Sequence, residues 1–412
     1  MKPVLLFLIL VLAFVCGDNV LELLGYHHRD FSSSPVFRLH PLSYLAFAIV
    51  VFYLINGKIG MAELVGKMKT EAIFLLGAAF ILCYLQITGN LNAIAFFIDA
   101  LILPVLLSMA LKVTPVTVLY KFRNWIYLFF FANAGIAVIE KLKGAFLIAR
   151  ESAWLFDYFR SSAIFGHPLN NALIMSVLTI VLFLAAEKTW LKLSVLFAGM
   201  VSIFCFGARG ALLGVFIGIM LHMFLGAVGN ASKTDKKGAA NGLVYLMAFA
   251  AIILIVVNFT SFGDRITALS HVDGSAEARV DSFNIISQMN FSDLIWKGTS
   301  TKEMDRIQYM SGVEIIENFY LIWLLRFGII VTGLLIVGLA KFLLDVTKTS
   351  PADIKFPILL TFVFVSSTNN SLSTSTLVIS NLVLAYYILL SFKVMREDEF
   401  TIKQITYESL PY

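Results

Sequence analysis

The sequence predicts an all-α integral membrane protein: about twelve transmembrane helices in a single polytopic domain over residues 1–412, with both termini cytoplasmic. Three observations predict it. Hydrophobic residues make up 59% of the chain and charged residues only 14%, against about a quarter charged in soluble domains. Apolar runs of crossing length recur along it. Lys and Arg collect in alternate connecting segments, as the positive-inside rule requires. No soluble fold of this length has interior enough for so much apolar side chain, so lipid must cover much of it. The net charge of +5 is that of cytoplasmic Lys and Arg and gives no reason to invoke nucleic acid. Cys16, Cys83 and Cys205 all lie in apolar runs and do not form a disulfide framework.

Residues 1–16, MKPVLLFLILVLAFVC, lack a small-x-small cleavage site. They read as the first transmembrane helix and not as a signal peptide. Eleven more crossings are centred near residues 48, 79, 103, 132, 177, 198, 219, 251, 331, 361 and 383. The one near 361 is short and runs into a polar stretch, SSTNNSLSTST. With the N-terminus inside, the inner segments hold Lys2; Lys58, Lys67 and Lys69; Lys112, Lys121 and Arg123; Lys188 and Lys192; Lys233, Lys236 and Lys237; Lys341, Lys348 and Lys355; and Lys393, Arg396 and Lys403. Every inner segment is basic.

Three outer segments are long: 17–40, with His27, His28, Arg29 and Asp30; 141–167; and 261–316, a loop between the ninth and tenth helices. They carry cations that topology does not need: Lys141, Lys143, Arg150 and Arg160 in the second, and Arg265, Arg279, Lys297, Lys302 and Arg306 in the third. Arg209 stands in SIFCFGARGALLGVFIGIM, at the outer turn between the seventh and eighth helices. Its plain reading is a cation snorkelling from a helix end. The flanking Gly207 and Gly210 favour a second reading, in which another backbone or a ligand headgroup comes close. A guanidinium fork matches phosphate oxygens in pairs, so a phosphate-bearing ligand would account for the outer arginines; solvated basic loops would account for any one of them. In SAEARVDSFNIISQM and the residue after it, Val280, Phe283, Ile286 and Met289 or Asn290 recur at roughly helical spacing. They predict short amphipathic helix near the membrane surface, with Arg279 at its start. ENFYLIWLLRFGIIVTGLLIVGLA opens the tenth helix. Glu317 and Asn318 mark its outer end, and Tyr320 and Trp323 suit the interface. Arg326 lies about 13 Å further along, at about 1.5 Å per residue. An intramembrane arginine marks a functional site unless an acid neutralises it, and Asp99 in FFIDALILP is a candidate partner.

Four stretches carry a resemblance. FGARGALLG lies in a helix pair, EARVDSFNIISQM follows about 70 residues later, ENFYLIWLLRFGIIVTGLL comes after that, and RSSAIFGHPLNNAL (160–173) precedes them all. Their order and topology, over residues 150–340, resemble the bacterial O-antigen polymerase (Wzy) and O-antigen ligase superfamily. The resemblance implies a GT-C-like glycosyltransferase of the bacterial inner membrane, with its active site facing the periplasm. The donor would be a glycan on undecaprenyl pyrophosphate. Arg209 and Arg279 would hold the pyrophosphate, and Arg160, His167, Asn318, Tyr320 and Arg326 would contribute to substrate binding. Family ligases often carry His-Asn where this chain has Glu317-Asn318, a departure that favours polymerase over ligase.

The expected reaction is attack of an acceptor hydroxyl on the anomeric carbon, with lipid pyrophosphate leaving. Arginines in a water-poor cleft stabilise the charge that grows on the leaving group. No metal-ligand spacing occurs in the sequence, and no cofactor is expected. Glu317 is a candidate general base, although a helix N-terminus favours its anion and weakens it; it could equally cap the helix or pair with an arginine. His167 is the other candidate. The product would be lipopolysaccharide O-antigen, capsule or exopolysaccharide, and partners would include lipid-linked oligosaccharide, a flippase and a chain-length regulator. Two other readings stay open: a ligase transferring glycan to a lipid or protein acceptor, and a flippase or transporter of lipid-linked oligosaccharide. No internal repeat of the transporter kind is visible.

Overall fold

The computed structural model describes residues 1–26, 38–87, 92–148, 159–229, 282–313 and 318–391, with positions 247, 251 and 316 besides. Every regular element among them is helical. The main helices are α1 (Pro3–Phe14), α2 (Asp18–Leu23), α3 (Pro41–Ile55), α4 (Lys69–Ile87), α5 (Ala93–Lys112), α6 (Val116–Lys143), α7 (Pro168–Ala185), α8 (Thr189–Phe206), α9 (Arg209–Gly229), α10 (Thr301–Ser311), α11 (Phe319–Val346), α12 (Ala352–Ser367) and α13 (Val378–Leu389). Eleven of the twelve predicted centres fall inside these helices; the ninth, near residue 251, falls in 230–281, where only positions 247 and 251 are described. Seven of the described helices are long and apolar enough to cross a membrane: α4 to α9 and α11.

Helix α1 differs from its prediction. It has 12 residues, about 18 Å at about 1.5 Å each, short of the roughly 30 Å hydrocarbon layer. The reason is local. At Gly17 the backbone presses on the 164–165 backbone so closely that a Cβ would sit 2.3 Å from the Ile164 carbonyl oxygen, and the chain restarts as α2.

Burial sorts the helices. Almost every residue of α7 and α13 is buried, as a helix apolar on all faces must be. By contrast α4 exposes Ile73, Leu76, Phe80 and Ile87, and α11 exposes Ile329, Ile330, Leu334 and Val337. These stripes recur at helical spacing and are surfaces suited to lipid.

Helix α9 meets α12 through Gly210, Gly214 and Gly218. A Cβ on each would meet the Thr368 hydroxyl at 2.8 Å, a Val365 methyl at 2.4 Å and the Thr361 hydroxyl at 2.2 Å respectively. The small residues let the helices touch, and the Thr361 hydroxyl uses that closeness to donate to the Gly214 carbonyl at 3.2 Å. Gly214→Leu should therefore separate α9 from α12. Overpacking of a tight contact costs about 1–3 kcal/mol or more, which would be read as a lower melting temperature in detergent.

One end of the bundle carries a partly buried ionic node. The Lys112 ammonium lies 2.6 Å from a Glu71 oxygen and 2.7 Å from an Asp345 oxygen, and the Ser108 hydroxyl donates to the same Glu71 oxygen at 2.7 Å. It joins α4, α5 and α11. The opposite end carries the candidate site.

Candidate functional site

The site end is organised by two buried polar structures. The first is built on Glu140, an acid fully buried near the end of α6. One carboxylate oxygen accepts from the Ser161 hydroxyl at 2.6 Å and from the amides of Ser162 and Ala163 at 3.0 and 2.9 Å. The other accepts from the Leu147 amide at 3.0 Å. Asn19 reaches across from α2 and donates to the Ala163 carbonyl at 2.9 Å, and the Asn171 side chain donates to the Ser162 carbonyl. This network holds Ala163 at φ 38, a left-handed backbone that non-glycine residues seldom adopt and that persists only when its surroundings fix it. The RSSAIFGHP segment is thereby pinned: Ser161 donates to the Cys205 carbonyl at 3.1 Å, which brings neighbouring Arg160 to the end of α8.

Arg209 follows directly. Gly207 closes α8 in the left-handed conformation at φ 66, and α9 begins at Arg209. Arg209 and Arg160 are both half-buried. The glycine after Arg209 is occupied in packing against Thr368, so its small size serves a helix contact at that position.

The second structure is the 366–376 stretch, SSTNNSLSTST, between α12 and α13. The sequence presented it only as the polar end of a short helix. In the fold it is a buried hub, with Ser366, Asn369, Ser371, Leu372, Ser373 and Thr376 all buried. The Asn369 carbonyl accepts from the Phe319 amide at 3.2 Å, and the Asn370 side chain donates to the Ile316 carbonyl at 3.2 Å. The Trp323 indole donates to the Leu372 carbonyl at 3.2 Å. Arg326 donates to the Ser373 carbonyl at 3.2 Å and lies over the Phe96 ring, 5.0 Å from its centroid. The candidate pair between Arg326 and Asp99 does not form. Asp99 instead accepts from the His40 amide at 3.1 Å and the Ser43 hydroxyl at 2.6 Å. The reason is position: Phe96, one helical turn before Asp99, takes the place beneath the guanidinium.

The other site residues are placed as follows. His167 caps α7, its Nδ1 accepting from the Leu169 amide at 3.2 Å. Asn318 is buried at the start of α11. The Tyr320 ring packs on Phe319 at 5.7 Å and Phe283 at 6.4 Å between centroids. Arg279 and Glu317 lie outside the described residues. A cleft at this end is lined by Asp18, His40, Asp99, Phe165, Asn170 and Thr376. Among the described residues no group of three or more His, Cys, Asp and Glu is placed to hold a metal ion.

The loop before α11 also departs from its prediction. Among its described residues, helix near Arg279 is confined to Asn284–Ser287, with Ile285 fully buried and Phe283 half-exposed. Ile285 and the expected Met289 join Ile307, Val313, Ile316, Leu321, Ile322 and Leu325 in a second apolar core, with the expected Ile286 packed against it. That core fastens residues 282–313 onto the first turns of α11.

Residues that sequence reasoning missed are Glu140, Asn19, Asn171 and the 366–376 hub. The legible signals were an acid inside an apolar helix and an eleven-residue polar run between two apolar ones. What fold and site define together is an all-α chain with many membrane-length helices and a polar, arginine-bearing end. No protein-family model and no curated protein matches the sequence.

Proposed function

We propose that the protein is a membrane glycosyltransferase of the polysaccharide-polymerase kind, acting on glycans carried by a polyprenyl pyrophosphate. It would cross the bacterial inner membrane about twelve times, with both termini cytoplasmic and the site facing the periplasm. One observation carries the reading. Arg160, Arg209 and Arg326, which lie far apart in sequence, are drawn to one end of the bundle around buried polar backbone: Arg160 through Ser161 on Cys205, Arg209 through Gly210 on Thr368, and Arg326 through Ser373. Guanidinium groups at one end of a bundle, partly withdrawn from water, suit an anionic, phosphate-bearing leaving group.

In the proposed reaction the acceptor oxygen forms a bond to the anomeric carbon of the donor glycan. The bond from that carbon to the pyrophosphate oxygen breaks, and its electron pair leaves with the lipid pyrophosphate. The acceptor's proton passes to a base, with Glu317 as the first candidate. The arginines hold the leaving group, and the 366–376 hub orients Arg326. Lipid-linked oligosaccharide is the substrate, and a flippase and a chain-length regulator are the expected partners.

The test is replacement of Arg209 by Ala, and separately of Arg279 by Ala, in a strain that depends on this protein. Long glycan chains should disappear while single repeat units remain attached to their acceptor and the protein level is unchanged. Loss of all attached glycan would instead indicate a ligase. Normal chain lengths in both variants would remove the proposal.

A further inference from the structure

The sequence reads 261–316 as an outer loop with short amphipathic helix near the membrane surface, yet part of it packs against a break in α11. Helix α11 is broken at Gly328, whose φ of 75 and ψ of 171 are not helical. Residues Asp293–Lys297 form a π-helical turn that packs into this break. The approach is backbone on backbone. A Cβ on Gly328 would lie 3.0 Å from the Ile295 carbonyl oxygen, and one on Gly298 would lie 2.3 Å from the Arg326 carbonyl carbon. The Leu325 carbonyl, deprived of its helical partner by the break, accepts from both the amide and the hydroxyl of Thr299.

Depth follows from arithmetic. Gly328 is nine residues beyond Phe319 in α11, about 13 Å along the axis at about 1.5 Å per residue. From Gly328 to Val346 the helix runs eighteen residues, about 27 Å on the same rise, close to the roughly 30 Å of a hydrocarbon layer. The break therefore lies at or below the level of the lipid headgroups, and the turn packed into it lies there too. On its other side the Trp296 carbonyl accepts from the Tyr84 hydroxyl near the end of α4 at 3.3 Å.

Of the four residues this segment, 291–297, exposes, Ser292 and Lys297 are polar and the other two are large and apolar. Phe291 is 76% exposed and Trp296 65%. The helices this segment packs against expose apolar side chains as well: Phe80 and Ile87 on α4, Ile329 and Ile330 on α11. The backbone of the turn is satisfied internally, as hydrocarbon demands: the Leu294 amide donates to Asn290 at 2.9 Å and the Gly298 amide to Asp293 at 2.7 Å. Lys297 pairs with Asp293 at 3.0 Å, on a stem long enough to reach headgroups. Helix α10, four residues later in the same loop, has the opposite character, carrying Lys302, Glu303, Asp305, Arg306 and Gln308.

We propose that residues 291–297 are a re-entrant segment inserted in the bilayer, with Phe291 and Trp296 in contact with lipid, while α10 stands in water. The segment then forms a lipid-facing wall beside Arg326, independently of what the arginines bind. The chain has five tryptophans; a variant keeping Trp296 alone, the others changed to Phe, would be reconstituted in phosphatidylcholine vesicles. Its emission should be blue-shifted and lost in vesicles whose acyl chains carry bromine near the headgroup, with little loss to aqueous iodide. Quenching by iodide without quenching by brominated lipid would overturn the proposal. Since that variant changes four tryptophans, the fully buried Trp323 among them, a gentler one stands beside it. In a chain lacking Cys16, Cys83 and Cys205, Trp296→Cys should resist a membrane-impermeant maleimide present on both sides of the vesicle, while Tyr309→Cys on α10 labels rapidly. Equal labelling of the two would also refute the insertion.

Discussion

Replacing Glu140 with alanine is expected to lower stability by about 3–5 kcal/mol, the range for removing the buried charged partner of a satisfied network. The carboxylate is fully buried and gathers four donors, three from consecutive residues 161, 162 and 163. Its loss leaves those donors without an acceptor in a space that water does not readily enter. It also releases the left-handed turn at Ala163, and with it the position of Arg160. A drop in detergent melting temperature, together with loss of the proposed glycan polymerisation at permissive temperature, would be the observed pair. Glu140→Gln keeps the shape but turns one acceptor into a donor facing donors, so it should fall between alanine and wild type. A melting temperature unchanged in both variants would show that the network does not support the turn.

Gly298→Ala is expected to have an effect of similar severity for a different reason. Gly298 has φ 66, where a side chain costs about 1–3 kcal/mol, and its Cβ would overlap the Arg326 carbonyl at 2.3–2.4 Å. Backbone cannot yield as a flexible side chain can, so the turn 293–297 would be pushed out of the α11 break. The Leu325 carbonyl would lose both Thr299 donors. The measurable result is lower thermal stability joined to faster proteolysis within 290–300. The contrast is Gly333→Ala, a position with no neighbour within 4 Å of an added Cβ. It should be silent or slightly stabilising, because alanine favours helix by about 1 kcal/mol over glycine.

Much of the candidate site was visible in outline. Arg209 was marked by its glycines and its place in an apolar run, and Arg326 by its depth in a helix that should not hold a cation. Their neighbours were not visible. The glycine after Arg209 serves Thr368, a contact that depends on how α9 crosses α12. Arg326 rests on Phe96 and Ser373 and not on Asp99, because which face of α5 meets α11 is a matter of packing. The 366–376 run could be seen to be polar, but a single sequence cannot say whether polar residues between two apolar helices face water or the interior.

The sequence by itself determined that this chain is helical and rich in membrane-length apolar segments, where most of those segments lie, and which residue types stand at their ends. Composition and periodicity are summed over many residues, so no single contact can overturn them. Tertiary structure alone decided that α1 stops short at Gly17, that α11 breaks at Gly328 to receive a loop, and that Glu140 and the 366–376 run hold the site together. Each of these turns on one close approach between segments far apart in sequence, and such an approach exists only once the helices have packed.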